Sequence, residues 1–180
     1  MKNSGFIIMG EHIYQQAKAA RAKATLDTLR PGEPPLGSLA PKEQNWLATA
    51  FAYLNQIYEK RGAGRPGKEA FCIFEAGKVY VQFLAPCDAE TLMCEAVSTK
   101  SVPDIAAFLM TEGDETLRRL GFEPPKISPN YSQTINIKDV ADLAFAARLA
   151  FRVLKEAYRV ADVNSATANG RIPISATTDH

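Results

Sequence analysis

Gly62-Ala-Gly-Arg-Pro-Gly67 has the letter pattern of a dinucleotide-binding loop, G-x-G-x-x-G. That loop works when a strand leads into it and a helix N-terminus follows to hold the pyrophosphate. Here a helical pattern precedes it and a strand-like pattern follows. Pro66 also removes an N–H donor, so the segment reads as a connecting loop. Histidine offers no alternative. His12 lies in a weakly amphipathic stretch and His180 is the last residue. Neither position supplies the oriented imidazole of a Ser–His–acid or Cys–His site. The three cysteines, Cys72, Cys87 and Cys94, are spaced C-x14-C-x6-C, without the C-x-x-C pairs of a zinc site. Their odd number does not read as a disulfide framework and fits a reducing cytoplasm. Cys72 and Cys94 fall mid-strand as small core residues, and Cys87 falls in a turn. No catalytic, cofactor-binding or metal-binding residue is assigned.

Two polar groupings remain. Glu95 lies in a strand among apolar residues, with Gln82 on the preceding strand. A carboxylate so placed needs a hydrogen-bonding or cationic partner, and it reads first as part of a structural network and second as a catalytic acid. Lys60, Arg61, Arg65 and Lys68 form a basic cluster beside Glu59 and Glu69. It has no interleaved aromatic ladder, so it reads as a solvated loop and argues against nucleic acid as a partner. The pair Asp114–Glu115 reads as a favourable charge near a helix N-terminus.

The elements that position these residues follow from periodicity. Leu47, Ala50, Phe51, Leu54, Ile57 and Tyr58 recur at helical spacing from Pro41 onward. Three strand-like segments follow. In Glu69–Ala76 the apolar residues include Phe71, Cys72, Ile73 and Phe74. In Lys78–Leu84, Val79, Val81 and Phe83 alternate against Tyr80 and Gln82. In Thr91–Ser98, Leu92, Cys94 and Ala96 alternate against Met93, Glu95 and Val97. Their short connections predict an antiparallel meander. Ser101-Val-Pro-Asp104 has the composition of a helix start, Gly113 is expected to interrupt that helix, and Gly121 to end it. Phe122-Glu-Pro-Pro125 is expected to be extended, Tyr131–Ile137 a short strand, and residues 138–160 a long helix buried on more than one side.

Composition fits one folded domain. The chain has 180 residues, formal net charge +1, 46% hydrophobic and 23% charged residues. Residues 1–90 carry 11 basic and 9 acidic side chains and residues 91–180 carry 10 and 11, so neither half hides a basic excess. No apolar run approaches the roughly 20 residues that span a bilayer, and Gly5-Phe-Ile-Ile-Met-Gly10 is too short for a secretory signal. Residues 1–37 read as an N-terminal extension, a weak helix over 11–30 followed by a Pro/Gly linker. Residues 38–161 read as the domain. Residues 162–180 read as a flexible tail, with Arg171–Ser175 able to dock on a sheet edge.

The order of helix, three-strand meander, helix, extended Pro-containing segment, strand and long helix resembles the type III secretion chaperone-like domain family, including the bacterial TY-Chap type. The resemblance covers about residues 41–160. It is carried by Tyr80-Val-Gln-Phe83, Glu95-Ala-Val-Ser98, and Leu120-Gly-Phe-Glu-Pro-Pro125 followed by Asn130. The family positions are thus Gln82, Glu95, Gly121, Phe122, Pro124, Pro125 and Asn130. The resemblance implies an α+β fold, α-β-β-β-α-β-β-α after the extra N-terminal helix. It also implies a homodimer, no enzyme activity, no cofactor, and a protein partner held on helix or sheet surfaces. Tyr80, Phe83, Met93 and Val97 are the expected partner-binding residues. The alternative is a small enzyme or small-molecule binder with a pocket around Glu95 and Gln82.

Overall fold

The computed structural model describes residues 20–63, 69–87 and 89–171. The glycine motif and the basic cluster fall partly outside them, with Arg65 and Lys68, as do His12 and His180. Residues 20–26 form the helical end of the N-terminal extension, α1. The domain continues through α2 (Pro41–Glu59), β1 (Ala70–Ala76), β2 (Val79–Ala85), β3 (Thr91–Ala96), α3 (Ala106–Arg119), β4 (Tyr131–Asn136), α4 (Val140–Arg152) and β5 (Thr167–Arg171).

The strands form one antiparallel sheet in the order β4-β3-β2-β1-β5. Gly77, at φ +65°, opens the two-residue turn that returns β1 onto β2, a conformation available to glycine without strain. Alternation decides the faces. Cys72, Phe74, Val81, Phe83, Leu92 and Cys94 point inward and are fully buried. Burial pushes both the Cys72 and Cys94 thiols well above their ordinary range. The helices cover this inner face. Trp46 of α2 meets Phe74 at 5.4 Å between ring centroids and Phe151 of α4 at 5.9 Å, and Phe74 meets Phe83 at 6.1 Å.

Each helix starts and stops for a local reason. Pro41 occupies the first turn of α2, where a missing N–H costs nothing, and Glu43 accepts from the Ala40 N–H at 2.9 Å. Asp139 caps α4 by accepting from Ala141 N at 2.8 Å, while Asp142 reaches back to the N–H groups of Lys138 and Asp139 at 2.7 and 3.2 Å. Gly121, at φ +93°, ends α3. The Phe122 N–H bonds the Leu117 carbonyl and the Gly121 N–H that of Arg118, both at 3.0 Å.

The antiparallel meander packed by helices is as expected, and three details differ. Gly113 does not interrupt α3, which runs through it unbroken. It allows close approach instead: a Cβ there would lie 2.7 Å from the Ala157 carbonyl oxygen. The last long helix is shorter than its apolar pattern, because α4 ends at Arg152 and a single π turn, Val153–Ala157, follows. Finally, Phe122-Glu-Pro-Pro125 supplies one bridge, Glu123 to Ser132, rather than a strand. Pro124 and Pro125 have no N–H to extend it. The fifth strand comes instead from beyond the last helix. Residues 163–171, expected within a flexible tail, form a 3-10 turn and then β5, paired with β1. Arg171 begins the segment expected to dock on a sheet edge, and it pairs with Phe71. The rest of that segment lies outside the described residues.

Candidate functional site

The outer face of the sheet is built from the residues between the inward ones. Register sets them in rows. Phe71 pairs Leu84, Leu84 pairs Met93, and Met93 pairs Thr134. The next row runs Asn169, Ile73, Gln82, Glu95 and Ser132, and Glu75 pairs Tyr80 beside it. One row is therefore largely apolar and its neighbour largely polar. Phe71, Ile73, Tyr80 and Leu84 are half-buried, and Met93 is 44% exposed. A shallow depression of about 500 Å³ opens on this face, lined by Ile73, Glu75, Tyr80 and Gln82 and walled by Lys78 and Val102.

The polar row is tied to the segment that precedes β4. Glu95 accepts from Gln82 Nε2 at 2.6 Å, from Ser128 Oγ at 2.8 Å and from Asn130 Nδ2 at 3.4 Å. Asn130, which is buried, also donates to the Tyr80 hydroxyl at 3.1 Å. Its carbonyl oxygen accepts from Ser101 Oγ at 2.6 Å and from the Ser98 N–H at 3.3 Å. Ser98 Oγ donates to the Pro129 carbonyl, and Lys100 Nζ to that of Pro125 at 3.1 Å. Gln82, Glu95 and Asn130, far apart in sequence, thus meet in one network. Glu95 takes its place in it as a hydrogen-bond acceptor for Gln82, Ser128 and Asn130. This arrangement pins the proline-containing segment against the sheet. Asn130→Ala would leave the Ser98 N–H and the Ser101 hydroxyl without their shared acceptor. Denaturant unfolding should register a loss of about 1–3 kcal/mol, the cost of stranding buried polar groups. Amide exchange at residues 126–130 should accelerate.

At the first residue of β4, next to Asn130, the Tyr131 hydroxyl donates to Asp114 of α3, which also meets Arg118 at 2.9 Å. The Tyr131 bond, aided by Arg118, holds the Asp114 carboxyl below the usual range. Burial, then the same bond, pushes the Tyr131 phenol up.

The four expected partner-binding residues separate. Tyr80 and Met93 stand on the outer face. Phe83 and Val97 do not: both are fully buried. Phe83 shares its parity with Val79 and Val81. Val97 lies just past β3, where alternation no longer governs. Its N–H bonds the Tyr80 carbonyl at 3.1 Å, and its own carbonyl accepts from the buried Tyr158 hydroxyl at 2.6 Å. Phe71, Ile73 and Leu84 take their places on the outer face. Period-2 alternation from Cys72 and Phe83 was the signal that could have found them. In the basic cluster, Arg61 stacks over the Tyr58 ring at 3.9 Å and bonds its carbonyl at 2.9 Å.

Residues 65–170, more than half of the chain, match the family TY-Chap3, described as T3SS (YopN, CesT) and YbjN peptide-binding chaperone 3. The chain belongs to this family. The match spans the whole sheet except the last residue of β5, together with α3 and α4. It begins after α2, so the N-terminal extension lies outside it. The chain matches no curated protein and no solved structure. Among the described residues, no helix is long and apolar enough to cross a membrane, and no group of three His, Cys, Asp or Glu side chains is placed to hold a metal ion.

Proposed function

We propose that this protein is a non-enzymatic, chaperone-like binder of polypeptide segments, working in the cytoplasm as a homodimer. The segment is held on the outer face of the sheet. The observation that carries this reading is the apolar row Phe71–Leu84–Met93, with Ile73 beside it, on a face that the helices leave open. An extended peptide laid across these strands would bury apolar side chains on that row. It would find hydrogen-bonding groups at Tyr80 and Gln82 in the adjacent depression. Membership of a family described as peptide-binding chaperones supports the same reading.

A peptide array read against the wild-type chain and against Met93→Asp tests it. Met93 is exposed enough that a charge there should leave the fold intact. The expected result is capture of apolar-rich peptides by the wild type and at least about tenfold weaker capture by the variant, about 1.4 kcal/mol, at an unchanged melting temperature. Equal capture by both would remove the sheet face from the proposal. Light scattering during size exclusion checks the dimer, and a single-chain mass at high micromolar concentration would rule it out.

A further inference from the structure

The segment before α2 is held against the opposite side of the molecule in an unusual way. Between α1 and Pro41 it forms no helix or strand, and its backbone–backbone hydrogen bonds are local, such as Glu33 N–H to the Arg30 carbonyl at 2.9 Å. Leu26, Leu36 and Leu39 pack against the core, and the polar attachment is chiefly arginine. Arg148 of α4, 1% exposed, meets Glu33 with both ends of its guanidinium, Nε to Oε1 at 2.6 Å and Nη2 to Oε2 at 2.7 Å. Its Nη1 donates to the Leu26 carbonyl at 2.8 Å. Arg152, one turn on, donates to the Pro34 carbonyl. Arg30 returns the contact, pairing with Asp142 at 2.5 Å and lying 4.4 Å from the Phe145 ring centroid.

Two features make this attachment look like a bound peptide rather than part of the core. Open clefts flank it: spaces of about 750 Å³ and 520 Å³ lie beside the segment, one toward Leu47 of α2 and one toward Phe145 and Leu149 of α4, with room for a larger occupant. The groove is also incompletely satisfied, because Arg152 is nine-tenths buried and its Nε has no acceptor among the described residues. A buried guanidinium needs an acceptor of this kind, and a carboxylate supplies two.

The geometry points to residues 26–39 as a self-held occupant of a second polypeptide groove, over α2 and α4, that reads a carboxylate through Arg148 and main-chain carbonyls through Arg148 and Arg152. The segment that displaces it is extended and acidic, bears prolines or leucines on either side of a glutamate, and offers Arg152 a second acceptor. Because the occupant is tethered, its effective concentration is in the millimolar range for a short linker. A free segment of equal chemistry therefore competes poorly until the internal one is weakened.

The test uses the full chain and a fluorescent synthetic peptide of its residues 20–39, followed by anisotropy. Glu33→Gln in the chain should raise affinity for the wild-type peptide at least about tenfold over the wild-type chain, as release of a tethered competitor predicts. The same peptide carrying Glu33→Gln should lose that gain. Hydrogen exchange should show residues 26–39 of the variant unprotected while α4 and the sheet keep their protection. Equal binding by both chains, or a variant that unfolds throughout, would overturn the inference, the latter by making the segment part of the core. The proposal goes beyond the sheet-face reading and is independent of it. Met93→Asp should leave binding of this peptide unchanged, so the two can fail separately.

Discussion

Phe83→Ala is expected to destabilise the domain by about 3–5 kcal/mol, the usual cost of emptying a large buried aromatic site. The side chain is fully buried on the inner face, 6.1 Å from the Phe74 ring, in a layer closed by Trp46 and Phe151. Its neighbour Phe74 is itself held against the Trp46 and Tyr53 rings, which opposes its moving to refill the space. For a domain of this size, thermal unfolding should begin roughly 10 °C lower, at about 2–4 °C per kcal/mol. Met93→Ala, on the same sheet but on its outer face, should move the melting temperature by little, because surface substitutions stay within about 0.5 kcal/mol. Calorimetry on the pair separates a residue that holds the fold from one that is free to meet a partner. Similar losses for both would mean that the faces are assigned wrongly.

The second expectation turns on the sign of a small substitution. If Gly113 merely weakened α3, Gly113→Ala would stabilise the protein by up to about 1 kcal/mol through better helix propensity. The structure requires the opposite. The new Cβ would sit 2.7 Å from the Ala157 carbonyl oxygen and 3.4 Å from Leu109 Cδ1. The first of these is backbone, so no side-chain rotation relieves it and α3 must move away from the π turn. Overpacking of this kind costs about 1–3 kcal/mol, which outweighs the propensity gain. Gly113→Val should reach the top of that range or pass it. Urea titration of the three proteins reads the order directly, and a more stable alanine variant would sink the close-packing account.

How far the molecule was legible from its sequence depends on where side chains decide the structure. Strands β1 to β3 and the core helices follow from apolar spacing, because burial on one face imposes the period. The Gln82–Glu95 pairing was legible for the same reason: register follows once the two strands are neighbours. β5 was not. Thr167-Ala-Asn-Gly-Arg171 has almost no apolar content and low strand propensity. It joins the sheet through its backbone. Gly170 lies so close to β1 that a Cβ would come within 3.0 Å of the Phe71 carbonyl oxygen. Gly113 misled for a related reason, since a glycine read alone does not distinguish a break from a close approach. The groove over α4 was overlooked although its signal was present. Arg148 and Arg152, four residues apart, sit in the otherwise apolar stretch 143–152, and Glu33 is the acidic residue of the Pro/Gly stretch far upstream of it. Pairing across 115 positions is not a local pattern.

The late arrival of β5 has a bearing on synthesis. One margin of β1 is satisfied by the hairpin with β2, but the other waits for a segment made after every helix is complete. A chain ended near residue 160 would hold a four-stranded sheet with the long, apolar β1 bare at its edge. That margin is able to recruit a stray strand from a neighbouring polypeptide. Residues 167–171 therefore cover β1 and leave a short, largely polar strand at the edge in its place, a less inviting template for a neighbouring chain.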